Sequence, residues 1–384
     1  MGKTQTRILE TAAFFNNHDT VPGFRKLMDL AMDTQDMSVY RAAIELTDWS
    51  EQHQEVEPFI QKCRQLLDTI SRISITEDEA PDPVVVAEEI RKSYGKGAFA
   101  LGPVSLTLRK GAVYGLVGEN GNGKTTLLRI LAHDLSCSSG KLAFNFRHKT
   151  GAAYDLRTKL VYIPQRTQRW HGSLKDNLKF VLSSYGIPAE ENETRVLMMI
   201  ARLGLWKYRH LKWNELSSGY KMRFELARTL LRKPELLLLD EPLANLDIVA
   251  QQVILEDLKS IANSVNNPIA LILSSQQLYE VEKVSDRVIF LRNGKPVETQ
   301  PAADVPAGAA ELIVEIDCSS PREALQAALE ALPLDRLNYN GGVYIACFKP
   351  GTVFLQVLEA LGKSHCRIIY IRDISSSTRR LFMA

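Results

Sequence analysis

No apolar run in the 384-residue chain is long enough to cross a bilayer. About 18 consecutive apolar residues would be needed, and the longest candidate, near Leu236, is strand-sized. Any membrane role therefore has to come through a docked partner. Close cysteine pairs are also missing. Cys63, Cys137, Cys318, Cys347 and Cys366 are scattered, which excludes a cysteine metal site of ordinary spacing and fits thiols in a reducing compartment. Neither sign of charge prevails: 47 Lys+Arg against 45 Asp+Glu leave a net +2, so no nucleic-acid partner is expected. Met1 to Glu10 are polar, without the apolar core of a secretion signal, and the expected location is cytoplasmic.

What the chain does have is a phosphate-binding loop. Gly118-Glu119-Asn120-Gly121-Asn122-Gly123-Lys124-Thr125-Thr126 follows the strand-like Val113-Tyr114-Gly115-Leu116-Val117 and precedes the helix-like Leu127 to Ala132. The pattern of Gly, four residues, Gly, Lys and Ser or Thr in a strand–loop–helix setting is specific. A triphosphate needs several backbone N–H groups converging on it, and glycines let the main chain wrap that closely. The following helix adds open N–H groups and the positive end of its dipole. Lys124 is expected to reach the outer phosphates, and the Thr125 hydroxyl to hold a Mg²⁺ that bridges them.

Around this loop the chain divides into parts. Residues 1–75 read as an all-helical N-terminal domain of four short helices, with stripes such as Phe24, Leu27, Met28, Ala31 and Ile60, Cys63, Leu67, Ile70 at helical spacing. Two hairpins burying one another are expected, serving as an interaction module for a protein partner. Residues 76–83 form an acidic, proline-bearing linker. Tyr94, after a strand and shortly before the loop, offers a ring to stack on adenine. Leu160 to Ile163 is a short strand leading to Pro164 and Gln165, whose carbonyl is suited to Mg²⁺ or to a positioned water. Small residues around Ser217-Ser218-Gly219 open a second helix, hence a second candidate phosphate binder, which makes sense across a dimer.

The wholly apolar Leu236 to Leu239 runs into Asp240-Glu241-Pro242. Such a run suits a parallel strand covered on both faces, and its carboxyl end is where open α/β sheets place ligands. Asp240 is expected in the Mg²⁺ shell, and Glu241 is expected to orient and polarise the attacking water. Residues 296–310, rich in Pro, Ala and Gly, read as a second linker. Residues 311–384 read as a small α+β domain of βαββαβ, ferredoxin-like order.

These residues resemble the ATP-binding cassette (ABC) ATPase family, and the resemblance covers about residues 84–295. Tyr94 is similar to its adenine-stacking loop, Gly118 to Thr125 to Walker A, and Gln165 to the Q-loop. Leu216-Ser217-Ser218-Gly219-Tyr220 is similar to the signature, Leu236 to Asp240 to Walker B, Glu241 to the catalytic glutamate, and Asn245-Leu246-Asp247 to the D-loop. The implied fold class is α/β, a P-loop ABC-type nucleotide-binding domain flanked by the helical and α+β domains. The implied cofactors are ATP and Mg²⁺.

The resemblance also implies a second ABC ATPase subunit, identical or not, so that Ser217 and Gly219 face the γ-phosphate held by the other subunit. A separate transmembrane permease would anchor the protein peripherally at the cytoplasmic face. Arg166 to Gly186 and the C-terminal domain resemble exporter-type cassettes, as does, weakly, the tail Ser375 to Phe382. Two positions depart from the family. Tyr220 stands where glutamine is commoner. Gln276 stands where the family carries a switch histidine, and no histidine occurs between His210 and His365. If that contact carried about 3 kcal/mol of transition-state stabilisation, its loss would slow turnover roughly a hundredfold. Gln276 and the added helices leave a second reading open: a slow, non-transport ATP switch that recruits partners.

Overall fold

The computed structural model describes residues 2–78, 83–95, 99–147, 153–297, 311–340, 342–364 and 366–375. The acidic linker lies outside these residues at 79–82, the second linker from 298 onward, and the exporter-like tail from Ser376 onward. Two compact units divide the chain. The first runs to Gln276 and takes in Val284–Asp286 and Leu291–Pro296; the second holds Gln277–Lys283, Arg287–Phe290 and the chain from Val297.

The first unit opens with helices α1 (Lys3–Asn16), α2 (Thr20–Thr34), α3 (Met37–Gln52) and α4 (Val56–Ser71). Their stripes meet in an apolar centre in which Phe15, Leu27, Met28, Ile60, Cys63 and Ile70 are fully buried. Gln35 turns left-handed (φ 55°) to end α2. Asp36 then starts α3 by accepting from the Ser38 and Val39 amides, which satisfies two open N–H groups of the first turn.

Next come β1 (Pro83–Ser93), β2 (Ala100–Arg109), β3 (Val113–Val117), α5 (Lys124–Leu131), β4 (Ser139–Phe144), α6 (Ala153–Lys159) and β5 (Leu160–Ile163). They are followed by α7 (Leu174–Ser184), α8 (Ala189–Arg202), α9 (Ser218–Leu230), β6 (Leu236–Leu239), α10 (Ile248–Ala262) and β7 (Ala270–Ser275). β1, β2 and β4 form an antiparallel sheet in the order β2-β1-β4. β5, β6, β7 and β3 lie side by side in parallel, with Leu239 opposite both Ile163 and Leu273. Every residue of β3, β6 and β7 is buried, as parallel strands covered on both faces require. All four strands therefore deliver their carboxyl ends to one edge, and the phosphate loop, Asp240 and Gln276 sit there.

The N-terminal helices do not close only on each other. α2 and α3 also pack on α8. Buried Asp29 of α2 accepts from Arg202 of α8 at 2.8 Å and from the Ser260 hydroxyl of α10, so one carboxylate joins three helices. Arg25 reaches Asp257 of α10 at 2.5 Å, and Asp33 takes Arg7 at 3.0 Å and the Ser264 hydroxyl at 2.5 Å.

The second unit contains α11 (Leu278–Glu282) and most of β8 (Arg287–Arg292), and is entered again at the end of β9 (Lys295–Val297). Its body is β10 (Leu312–Cys318), α12 (Arg322–Leu329), β11 (Leu334–Asn340), β12 (Val343–Phe348), α13 (Phe354–Lys363) and β13 (Ile368–Asp373). The strands form an antiparallel sheet in the order β11-β12-β10-β13. One face of that sheet meets α12 and α13 over Val314, Ile316, Leu325, Leu329, Phe348 and Val357.

Candidate functional site

The loop between β3 and α5 is shaped by its glycines. Gly121 and Gly123 have φ of 82° and 96°, the left-handed region open to a residue without Cβ. At Gly118 the limit is space, because a Cβ there would stand 2.5 Å from the Leu291 carbonyl oxygen. Asn122 is buried and accepts the Asn293 amide at 2.9 Å, which fixes the middle of the loop. Glu119, Asn120 and Gly121 remain exposed at its crest. α5 starts at Lys124 with no side-chain cap, so its first-turn N–H groups are open, and Thr125 and Thr126 lie in that turn. The Lys124 side chain is 5% exposed and folds back to donate to the Gly118 and Glu119 carbonyls at 2.7 and 3.3 Å.

Beside the loop, Asp240 leaves the end of β6. Its Oδ2 accepts from the Thr125 hydroxyl at 2.8 Å and from the Tyr162 hydroxyl at 3.1 Å; its Oδ1 accepts from Ser274 at 2.7 Å. Burial, then the Asp240 charge and this hydrogen bond, push the Tyr162 phenol above its usual range, so it stays a donor to Asp240. Three hydroxyl donors thus hold one carboxylate in a fixed orientation.

Glu241 is different. Its backbone is left-handed (φ 47°), a costly conformation for a residue with a Cβ. The strain is held in place by its amide, which donates to the Ser274 hydroxyl oxygen at 2.9 Å. The side chain is turned toward the loop, where its carboxylate accepts from Gln276 at 3.0 and 2.9 Å and from Gln165 at 3.1 Å. Lys124 stands 3.4 Å away. Two neutral amides and one cation therefore converge on a single carboxylate.

Lys124, Thr125, Gln165, Asp240, Glu241 and Gln276 accordingly form one cluster, although they come from four separate stretches of chain. Tyr94 is not joined to it by any hydrogen bond or ion pair among the described residues. Its ring is 47% exposed with the Lys92 ammonium 5.5 Å from its centre. Ser217 and Gly219 lie apart at the start of α9, with Ser217 as an N-cap whose hydroxyl makes no capping bond. Neighbouring Ser218 donates to the Asn245 carbonyl at 2.8 Å, and Asn245 is itself left-handed (φ 63°). Asp247 caps α10 through the Ala250 amide. Tyr220 donates or accepts at 2.7 Å with Tyr208, rings 3.9 Å apart, so the aromatic exchange in the signature is used for packing.

Sequence reasoning missed Ser274 and Tyr162. Ser274 supports both acids at once, Asp240 through its proton and Glu241 through its lone pair. Its place depends on β6 and β7 pairing Leu239 with Leu273, a register no local motif announces.

The donor set suits a magnesium nucleotide. A hydroxyl and a carboxylate oxygen at 2.8 Å from one another are hard ligands of the kind Mg²⁺ takes alongside phosphate oxygens and water. The glycine cradle, the buried Lys124 and the uncapped α5 supply positive potential without a bulky side chain to fill the space.

Residues 101–244 match the family described as ABC transporter. The chain is 28% identical to a phosphonates import ATP-binding protein, PhnC, of Treponema denticola, over 56% of this chain and 88% of that protein. It is 32% identical to a lantibiotic transport ATP-binding protein, SrtF, of Streptococcus pyogenes, over 54% of this chain and 86% of the relative. Among solved structures it is similar to cbiO1 of Clostridium perfringens, part of an ABC transporter complex. That match has 25% identity and a TM-score of 0.52, and it covers 56% of this chain and 88% of the other.

Proposed function

Since the chain belongs to the ABC transporter family of ATP-binding proteins, we propose that it binds Mg-ATP at the loop of residues 118–126 and works as one of a pair of ATPase subunits driving a separate membrane permease. ABC ATPases hydrolyse ATP, and the observation that carries the residue roles is the convergence of Lys124, Gln165 and Gln276 on Glu241 beside the Thr125–Asp240 pair. Mg-ATP, when bound, would supply the phosphoanhydride to be cleaved and a cation to offset the charge of its phosphates.

The chain's own part is placement. Thr125 and Asp240 present oxygens to the cation, with Tyr162 and Ser274 keeping Asp240 from rotating. Lys124 lies within reach of both the loop carbonyls and Glu241, so its charge can pass from one to phosphate. Glu241 orients and polarises a water once its amide donors release it. Ser217 and Gly219, separate from this cluster, are assigned to the nucleotide of a second subunit. Tyr94 is assigned to the adenine face. No helix among the described residues is long and apolar enough to cross a membrane, and docking on a permease at the cytoplasmic face is the proposed location.

The direction of transport has two supports of opposite sense. The segment Arg166 to Gly186 and the C-terminal unit speak for export. The PhnC relative bears the name of an import protein, while SrtF is named a lantibiotic transport protein. The reading as a non-transport switch gains no support from these names.

Two measurements test the proposal. ATP turnover of Glu241→Gln should fall at least about a hundredfold from wild type, the scale of a lost positioned base; equal turnover would remove Glu241 from the chemistry. Purification from detergent-solubilised membranes should bring down a multispanning protein, and its consistent absence would overturn the transporter assignment.

A further inference from the structure

A cavity of about 290 Å³ lies within the first unit, walled by α2, α3, α8 and the chain entering β5, β6 and β7. Its position is set by topology. Lys159 immediately precedes β5, Lys233 shortly precedes β6, and Ile269 immediately precedes β7. The ladder continues outward there, with the Glu235 amide on the Lys159 carbonyl at 2.7 Å and the Ala270 amide on the Glu235 carbonyl at 3.0 Å. The cavity is therefore at the amino ends of the parallel strands, whereas the phosphate loop is at their carboxyl ends. Four residues of β6 separate the two, on the order of 13 Å of strand.

The lining carries five cations, Lys159, Arg195, Arg202, Arg232 and Lys233, against one carboxylate, Asp33. Asp33 is already committed to Arg7, the Ser264 hydroxyl and the Val265 amide. Arg202 is matched by Asp29, and Arg195 by Glu191 at 2.8 Å. Among the described residues the other three charges have no acidic partner. Arg232 donates to the Tyr185 hydroxyl and the Arg157 carbonyl, both at 2.7 Å, and Lys233 donates to the Gln35 side-chain oxygen at 2.7 Å. Lys159 makes no side-chain hydrogen bond or ion pair among the described residues. Lys233 has a left-handed backbone, φ 50°, and its side chain lines the cavity. Although that residue is solvent-accessible, the protein around its ammonium, then Arg195 and Lys159, lower its pKa from the ordinary value.

Between these charges the wall is apolar, with Met32, Ile187, Met199 and Ile261, and Tyr40 and Tyr185 also line it. Cations with no acidic partner among the described residues, set among apolar side chains, describe an amphiphilic anion, and the volume is that of a small organic molecule. A free inorganic ion would leave the apolar part unfilled. A neutral apolar molecule would leave the cations unanswered.

We propose that this cavity is a second ligand site, separate from the nucleotide loop, which takes a small organic anion: a phosphate or carboxylate on an apolar body, its charge held by Lys159, Arg232 and Lys233. Because α2 and α3 form part of the wall, occupancy ties the N-terminal helices more firmly to α8 and to the strand ends.

The probe is 1-naphthyl phosphate, titrated calorimetrically into the full chain with saturating Mg-ADP to fill the nucleotide loop. One equivalent should bind, and 1-naphthol should bind at least about tenfold more weakly, because it keeps the body and drops the charge. Affinity should fall at least about tenfold in the Lys159→Gln/Lys233→Gln double variant and be unchanged in Lys124→Ala. Running 1-naphthoate alongside distinguishes a phosphate preference from a carboxylate preference. Naphthol binding as tightly as the phosphate would overturn the site, as would binding lost in Lys124→Ala but retained in the double variant. Absence of binding by all three probes would overturn it equally. The comparison of phosphate with naphthol uses the wild-type chain, so it stands even if the double variant folds poorly.

Discussion

Glu241 owes its poise to Ser274 and Gln276, and the two differ in how they could be known. Walker-type spacing is contiguous, so Gly118 to Thr126 and Asp240-Glu241 stand out in the chain before any fold is known. Gln276 was readable as a departure, because the family resemblance supplied an expected histidine. Ser274 was not readable: a buried serine on a strand has no signature until the neighbouring strand is in register. Gln276 brings a neutral amide that donates to Glu241 at 2.9 and 3.0 Å. A histidine there would titrate near neutrality, with an ordinary pKa of about 6.5, whereas an amide does not. Gln276→His is expected to raise ATP turnover by up to about a hundredfold and to introduce a pH dependence near 6 to 7 that the wild type lacks. Steady-state phosphate release from pH 5.5 to 8.5 measures both, and a variant no faster than wild type would show that Gln276 does not limit the reaction.

At the scale of elements, apolar periodicity located α1 to α4 well, because each helix has one buried stripe. The same periodicity could not show where their polar flanks go. No motif marks Asp29, Asp33 or Arg25, yet each is matched by a residue far along the chain in or near α8 and α10. Burial alone would raise the Asp29 carboxyl, but Arg202, the Ser260 hydroxyl and Arg7 outweigh it and hold the pKa below its ordinary 3.8. Asp29→Asn leaves Arg202 buried without its counter-charge and is expected to cost about 3–5 kcal/mol at pH 7. A carboxyl depressed on folding contributes fully above its unfolded value and loses that contribution as pH falls through the folded one. The stability gap between wild type and Asp29→Asn should therefore be constant above about pH 4 and close below it. Urea unfolding at pH 7, 5 and 3 checks this; a gap that widened in acid would assign Asp29 the wrong role.

For the whole molecule, the two ends of the chain differ in kind. Among the described residues, the apolar clusters on β10 to β13 are built from residues between Leu312 and Ile374. A fragment of residues 311–384 is therefore expected to fold by itself, giving dispersed amide resonances and a cooperative melt; a collapsed spectrum would show that it needs the rest of the chain. The sequence conveyed this order of strands and helices because its turns are marked by Pro, Gly and Ser and its elements are short. It did not convey that the first four helices share a compact unit with the nucleotide-binding strands, since that depends on pairings across most of the chain. Asp29 and Asp33 emerge from the ribosome 173 to 231 residues ahead of Arg202, Ser260 and Ser264. At roughly 5–20 residues per second, the 231-residue interval lasts about 12 to 46 seconds. Throughout that interval Asp29 lacks the Ser260 hydroxyl and Asp33 lacks the Ser264 hydroxyl, so these helices are completed only after chain far beyond them has been made.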